Sequence, residues 1–269
     1  MHSLKIGAVS YLNTKPLVAG LDRASSPCDV VFDLPSRLAD RLKRGEMAVA
    51  LIPLVEAVTN NYVIVSDACI ACRGPVWSVK LFSRVPGPAI KTLALDEGSR
   101  TSRILGQLLL FKRWGIRPDK VSLAIDQPWR SSQEDAVLVI GDRAMNVDDQ
   151  GFEFSWDLGQ EWLTQTGSPF VFAVWAAHPD SLEIDYLDEI LTESRNLGIR
   201  TLDEIVNRHA ASYGLSLEAC ERYLKQHLHF TMGGQEVAGA RQFLSEATQY
   251  GFLPPSKLNL NQPSRFINQ

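Results

Sequence analysis

Histidine and cysteine are scarce in this chain, with five and four residues among 269. A structural zinc site needs about four ligands at close spacing, and the sequence holds one close cysteine pair, Cys69 and Cys72 in "CIAC". That pair follows the strand-like run "YVIVSDA" without a second pair, which supplies neither a zinc set nor the strand-to-helix setting of a redox dithiol. The four thiols, Cys28, Cys69, Cys72 and Cys220, are therefore read as free, as in a reducing compartment. "HLH" at His227 to His229 falls in an amphipathic helical region with no companion carboxylate motif and is read as packing. Positive charge is not in excess either. Lysine and arginine total 27 against 31 aspartates and glutamates, for a net charge of -4, which excludes gripping nucleic acid through bulk charge. No apolar run approaches the ~20 residues that span a bilayer. "MHSLKIGAV" lacks the basic segment, apolar core and small-residue cleavage site of an export signal. The expectation is a cytoplasmic chain with no membrane and no nucleic-acid partner, in which any bound anion is held locally.

What is there is apolar residue, 45% of the chain, enough for one large domain or two lobes. Residues 1 to 66 alternate strand-like runs with helical patterns: "LKIGAV", a short helix from Lys15, "DVVFDL", a helix from Ser36 to Gly45, then "MAVALI". This is βαβαβ order and implies a mainly parallel sheet. "VWSVKLFSRVPGP" reads as an extended crossing closed by a Pro/Gly cluster. A second unit opens at Ile90, with a strand, a polar loop, a helix ending near Gly115, and strands in "KVSLAI" and "AVLVIGD". "SPFVFAVWAAHP" carries the chain back. From Leu182 to about residue 250 the pattern is helical, with Leu217, Cys220, Tyr223, Leu224 and Leu228 on one apolar face and Ser216 at its start. The tail after Pro254 is polar and is expected to be ordered by docking. The predicted architecture is an α/β fold of two lobes with mainly parallel sheets and a ligand cleft between them. One lobe takes residues 1–86 and 178–269; the other takes 87–177.

Polar residues gather where strands hand over to helices. In "IGAVSYLNTKPL", Ser10, Tyr11, Asn13 and Thr14 follow the first strand, and Lys15-Pro16 suits the first turn of a helix. Carboxyl ends of strands are where open α/β sheets hold ligands, because helix N-termini there present unpaired N–H groups. Asn13 or Thr14 could equally cap the helix. Asp96, Ser99, Thr101 and Ser102 repeat the arrangement in the second unit, with capping again the alternative. Asp142 in "VIGDRAM" also ends a strand, and meets a ligand or caps the next turn. Glu56 is read as a first-turn helix carboxylate.

The layout of lobe, two crossings, lobe and helical return resembles class II periplasmic-binding proteins. The opening "SYLNTKPL" resembles the signature of the MqnA family, and the similarity extends through "VALIPLVE", "GPVWSVKLFS", "LDEGSRTSRILGQLLL", "VLVIGDRAM" and "GSPFVFAVW". Gly98 and Trp77 depart from that pattern, which has more polar residues there. The resemblance implies a chorismate dehydratase of the futalosine route to menaquinone, a hydro-lyase that gives 3-[(1-carboxyvinyl)oxy]benzoate without cofactor or metal. Chorismate would be the small-molecule partner, and a homodimer stands beside a monomer as the assembly. Chorismate carries two carboxylates, yet the ligand-facing loops hold no arginine cluster and no glycine-rich phosphate loop. Hydroxyls and backbone amides must then hold the charge. Thr101 and Ser102 are the expected carboxylate binders, Ser10, Ser78, Ser99 and Asp142 the supporting contacts, and Asn13 the group that orients the leaving hydroxyl or a carboxylate. With no histidine in these loops, a substrate carboxylate is the candidate proton acceptor. A 1,4-dihydroxy-6-naphthoate synthase-like enzyme and a carboxylate-binding sensor are the rival readings.

Overall fold

In a computed structural model describing residues 4–21, 28–145, 151–181, 183–255 and 260, the chain forms eleven strands and eight α-helices among the described residues. Strands β1 (Leu4–Val9), β2 (Cys28–Asp33), β3 (Val49–Pro53) and β4 (Val63–Cys72) alternate with a 3-10 helix (Leu12–Val18), α1 (Pro35–Lys43) and α2 (Leu54–Thr59). Strands β5 (Val79–Ser83), β6 (Thr92–Asp96), β7 (Asp119–Leu123), β8 (Ala136–Ile140) and β9 (Phe154–Asp157) follow, with α3 (Arg100–Trp114) between β6 and β7 and α4 (Leu158–Thr166) after β9. Strand β10 (Phe170–Ala177) precedes α5 (Ile184–Arg200), α6 (Leu202–His209), α7 (Leu217–Arg222), a single π-helical turn (Tyr223–His227), β11 (His229–Thr231) and α8 (Gly234–Gln249).

Two sheets result. The first has six strands in the order β11-β4-β10-β3-β1-β2, and the second five in the order β7-β6-β8-β5-β9. Where the sequence alternates strand and helix, pairing is parallel, as in β1 with β2 and β3, and β6 with β7 and β8. Strands β10 and β5 pair antiparallel with their neighbours. Both sheets are therefore mixed, because the strands that close each unit enter against the direction of the βαβ units. The apolar core reaches from Ile6 and Leu51 in the first sheet to Leu138 and Trp162 in the second half. A smaller cluster holds Phe82, stacked on Trp129 at 4.8 Å between ring centres.

Four local expectations change. The first helix starts at Leu12 and not at Lys15, which leaves Pro16 inside a 3-10 helix. The Cys69–Cys72 pair lies within β4 and not after it, both thiols being buried. His229 begins β11, so "HLH" leaves the helical register there. Strand β5 pairs in the second sheet and β10 in the middle of the first. The Pro/Gly cluster after β5 therefore follows a strand of the second sheet. The tail beyond Pro254 falls almost wholly outside the described residues.

Candidate active site

The carboxyl ends of β1, β3 and β8 converge on one cavity. Val9, Pro35, Pro53, Ile70, Val76, Val79, Ile140, Phe172 and Ala173 give it apolar walls. Its polar lining consists of Tyr11, Asn13, Ser78, Ser99 and Ser102. Both sheets contribute, as expected for a site at the carboxyl ends of strands.

Asn13, Ser78, Ser99 and Ser102 are thus brought together from distant places in the sequence. Asn13 lies inside the 3-10 helix, whose N-cap is Tyr11 with no side-chain cap. The capping alternative does not describe Asn13, whose Oδ1 instead accepts the Thr14 hydroxyl at 3.3 Å. Ser99 does cap α3: its Oγ accepts from Ser102 N at 3.3 Å and from Ser102 Oγ at 3.1 Å. Accepting twice leaves the Ser99 hydroxyl its own proton to donate, so cap and ligand contact are compatible. Ser78 is buried on the floor and donates to Val76 O over 3.4 Å, a long contact.

Three expected contacts stand elsewhere. Thr101 is fully buried outside the lining, and its Oγ1 accepts from Val55 N at the start of α2 at 3.1 Å. Asp142 accepts from Leu12 N at 3.1 Å, at the start of the 3-10 helix. Ser10 is exposed; its N–H donates to Asp33 O at 3.1 Å and its carbonyl accepts from the Tyr213 hydroxyl at 3.3 Å. Together with Ser36 N donating to Gly98 O at 3.1 Å, three helix N-termini on the first sheet are occupied by acceptors from the second half. Of the two helix N-termini expected to face a substrate anion, near Lys15 and near Thr101, the first meets the Asp142 carboxylate and the second is capped by Ser99. Glu56 also does more than decorate a first turn: its Oε2 lies 3.0 Å from Arg100 at the start of α3.

Charge is kept behind the walls. Asp96 is fully buried yet completely engaged, with Gly98 N at 2.9 Å, Ile140 N at 3.1 Å and the Arg143 guanidinium at 2.6 Å. Among the described lining residues, Tyr11 alone carries a titratable side chain. Burial, and then the Asp96 carboxylate, push its phenol above the ordinary tyrosine range, so it is a neutral donor at any working pH. Its hydroxyl is buried without a hydrogen-bond partner among the described residues. Burial raises the Asp142 carboxyl to about 6, with the Leu12 N–H and Lys15 opposing. No group of three or more His, Cys, Asp or Glu able to hold a metal occurs among the described residues, and no helix among them is long and apolar enough to cross a membrane.

Both departures from the resembled pattern have steric reasons. A Cβ on Gly98 would stand 3.0 Å from the Tyr11 hydroxyl, and one on Gly141, at φ +71, only 2.7 Å from the Tyr11 ring. These glycines form the cradle for that ring. Trp77 holds φ +62, fixed by its N–H and that of Val76 donating to the two oxygens of Asp157. It packs edge-on against Tyr223 at 5.8 Å. Tyr223, assigned from sequence only to an apolar helix face, ends up buried beside Asn13 and Ser78. Its spacing matched the apolar stripe, so no sequence signal set its hydroxyl apart.

Residues 4–249 match the model of a family described as menaquinone biosynthesis. A chorismate dehydratase from Thermus thermophilus is 28% identical over 247 residues, covering 83% of this chain and 88% of that protein. Among solved structures, a protein from Archaeoglobus fulgidus superposes with a TM-score of 0.76 at 18% identity, over 94% of this chain and 99% of that one. A Candida albicans protein with the generic periplasmic-binding-protein fold gives 0.63 at 15% identity, over 98% and 96%. The Escherichia coli periplasmic aliphatic sulphonate-binding protein also gives 0.63 at 15%, over 97% and 96%. The fold is periplasmic-binding-protein-like.

Proposed function

This chain belongs to the menaquinone-biosynthesis family, and from that premise we propose that it is a chorismate dehydratase, eliminating one water from chorismate to give 3-[(1-carboxyvinyl)oxy]benzoate on the futalosine route. The Thermus thermophilus relative carries that name. The observation that carries the reading is the cavity lining: neutral donors from Tyr11, Asn13, Ser78, Ser99 and Ser102, with no carboxylate, imidazole, ammonium or guanidinium among them. Such a lining suits a dianion whose own groups do part of the chemistry.

In the elimination, the hydrogen on the carbon bearing the enolpyruvyl ether leaves as a proton. Its bonding electrons form the new ring double bond, and the neighbouring carbon loses its hydroxyl. Proton and hydroxide leave as water, and aromatisation supplies the driving force. The barrier is lowered by alignment and by proton transfer within reach. Asn13 donates to the departing hydroxyl through its amide N–H, the Ser99 hydroxyl donates to a substrate carboxylate, and a substrate carboxylate takes the ring proton. Closure of the cleft excludes water and strengthens these bonds. The two lobes of this reading follow the sheets, with the chain crossing between β4 and β5 and again between α4 and β10.

The test is to incubate purified protein with chorismate alone, and in parallel with a chelator, and to follow the loss of one water by chromatography and mass. Conversion in both supports the reading. Tight binding with no product turns it into a carboxylate-binding protein without chemistry.

A further inference from the structure

Tyr223 is fully buried, and its hydroxyl has no hydrogen-bond partner within normal distance among the described residues. A buried donor left unmade is costly, and this one is held in place by unusual backbone. It opens the single π-helical turn Tyr223–His227, a local widening of the helix that is most often found at functional sites. Trp77, at φ +62, lies edge-on to the Tyr223 ring at 5.8 Å and also 5.8 Å from the His227 ring. His227 Nδ1 in turn meets Pro75 O at 3.0 Å. The π turn and the 75–78 loop thus clasp each other around the tyrosine ring. Burial keeps the phenol protonated, and the side chains of Ser78 and Asn13 are the groups that act on the hydroxyl in the opposite sense.

We propose that Tyr223 is a positioning residue for the site, its hydroxyl linking Asn13 to Ser78 beneath the cavity. This rests on the dehydratase reading above. The donor accounting fits. Asn13 Oδ1 already accepts from Thr14, so the amide meets the phenol oxygen with its Nδ2 hydrogens. Ser78 Oγ donates to Val76 O, so its lone pairs accept the phenol proton. Each of the three groups then has a complementary partner. The link tightens when substrate fixes Asn13 and Ser78, as hydrogen bonds between catalytic groups commonly do.

Tyr223→Phe removes the hydroxyl and keeps the ring packed on Trp77. The expected result is a kcat lowered about tenfold or more with KM within about threefold of the parent and no loss in Tm. In an Asn13→Ala background the same substitution has no further effect, because the group it acts through is gone. If ring packing is all that Tyr223 does, Tyr223→Phe turns over chorismate within about threefold of the parent, and the proposal is overturned while the dehydratase reading stands. Should the parent bind chorismate without releasing water, the dehydratase reading fails alone. The same cycle is then read as chorismate affinity by calorimetry, where additive effects of Tyr223→Phe and Asn13→Ala overturn the link and non-additive ones uphold it. A parent that neither binds nor converts chorismate overturns both.

Discussion

Asn13 carries the sharpest expectation at the scale of single residues. Its side chain caps nothing and lines the cavity. Asn13→Asp adds a carboxylate to a site meant for a dianion and removes the amide donors. Turnover should fall by about 10²–10³ or more, as for loss of a transition-state donor, while the protein still unfolds cooperatively in a thermal melt. Turnover within about threefold of the parent would sink the assignment. Asp142 makes a separate prediction about pH. Its folded carboxyl sits at about 6 against the usual 3.8, chiefly through burial. A carboxyl raised in the folded state binds its proton more tightly there, so its favourable effect on stability is complete below about pH 4 and disappears as pH rises through about 6. Asp142→Asn, which imitates the protonated form, should therefore melt above the parent at pH 7.5. The advantage, at most ~3 kcal/mol, should shrink by pH 4.5. Melts of both proteins at the two pH values decide this, and a gap independent of pH would mean that burial of the carboxylate is not its origin. Gly141→Ala should lose both stability and activity, since its Cβ would overlap the Tyr11 ring at a backbone angle that disfavours side chains.

At the scale of elements, helix α3 shows how one hydroxyl can be misread. Thr101 and Ser102 are neighbours at its start, yet Ser102 faces the cavity while Thr101 serves α2 through Val55 N. Thr101→Val should therefore lower stability by ~1–3 kcal/mol by orphaning a buried N–H. Thr101→Ser, which keeps the acceptor, should restore most of it. A large KM effect from Thr101→Val at unchanged Tm would return Thr101 to substrate binding. Sequence spacing alone could not separate the two, because facing direction depends on where α2 docks. The parallel strands, the helix read from Ser36 to Gly45 and found at Pro35–Lys43, and α3 ending before Gly115 were legible, since apolar runs and Gly at a helix end have local causes. Asn13, Ser99 and Ser102, read as polar residues at strand ends, and Ser78, named through the resemblance, line one cavity. The sheet membership of β5 and β10 was not legible, because antiparallel pairing across the molecule leaves no periodic trace. The π turn that delivers Tyr223 was hidden for the same reason: its residues keep the spacing of an ordinary amphipathic helix.

For the whole molecule, the notable contacts join the starts of elements on the first sheet to acceptors from the second half. Gly98 O, Thr101 Oγ1 and the Asp142 carboxylate take N–H groups at the starts of α1, α2 and the 3-10 helix. Arg100 adds a fork from α3 to Asp40 on α1, at 2.9 Å, and to Glu56 on α2, at 3.0 Å. In the two-lobe reading proposed above, substrate enters when this set opens, so open and closed forms exchange, and any ligand acts by favouring one of them. The Arg100 pairs are partly solvated and each is worth only ~0–1 kcal/mol. That size suits a bias between two forms better than a lock. Arg100→Ala should shift the free protein toward the open form, seen as a larger radius of gyration in X-ray scattering, with chorismate restoring the compact value. KM should rise several-fold while kcat stays near the parent's, because Arg100 touches no lining group and the closed site, once formed, is unchanged. The Arg100 effect should also fade as salt is raised toward 1 M, where exposed pairs are screened within ~3 Å. An unchanged radius together with a fall in kcat would mean that Arg100 shapes the N-terminus of α3 itself, and the closed form would then owe its population to the buried N–H contacts alone.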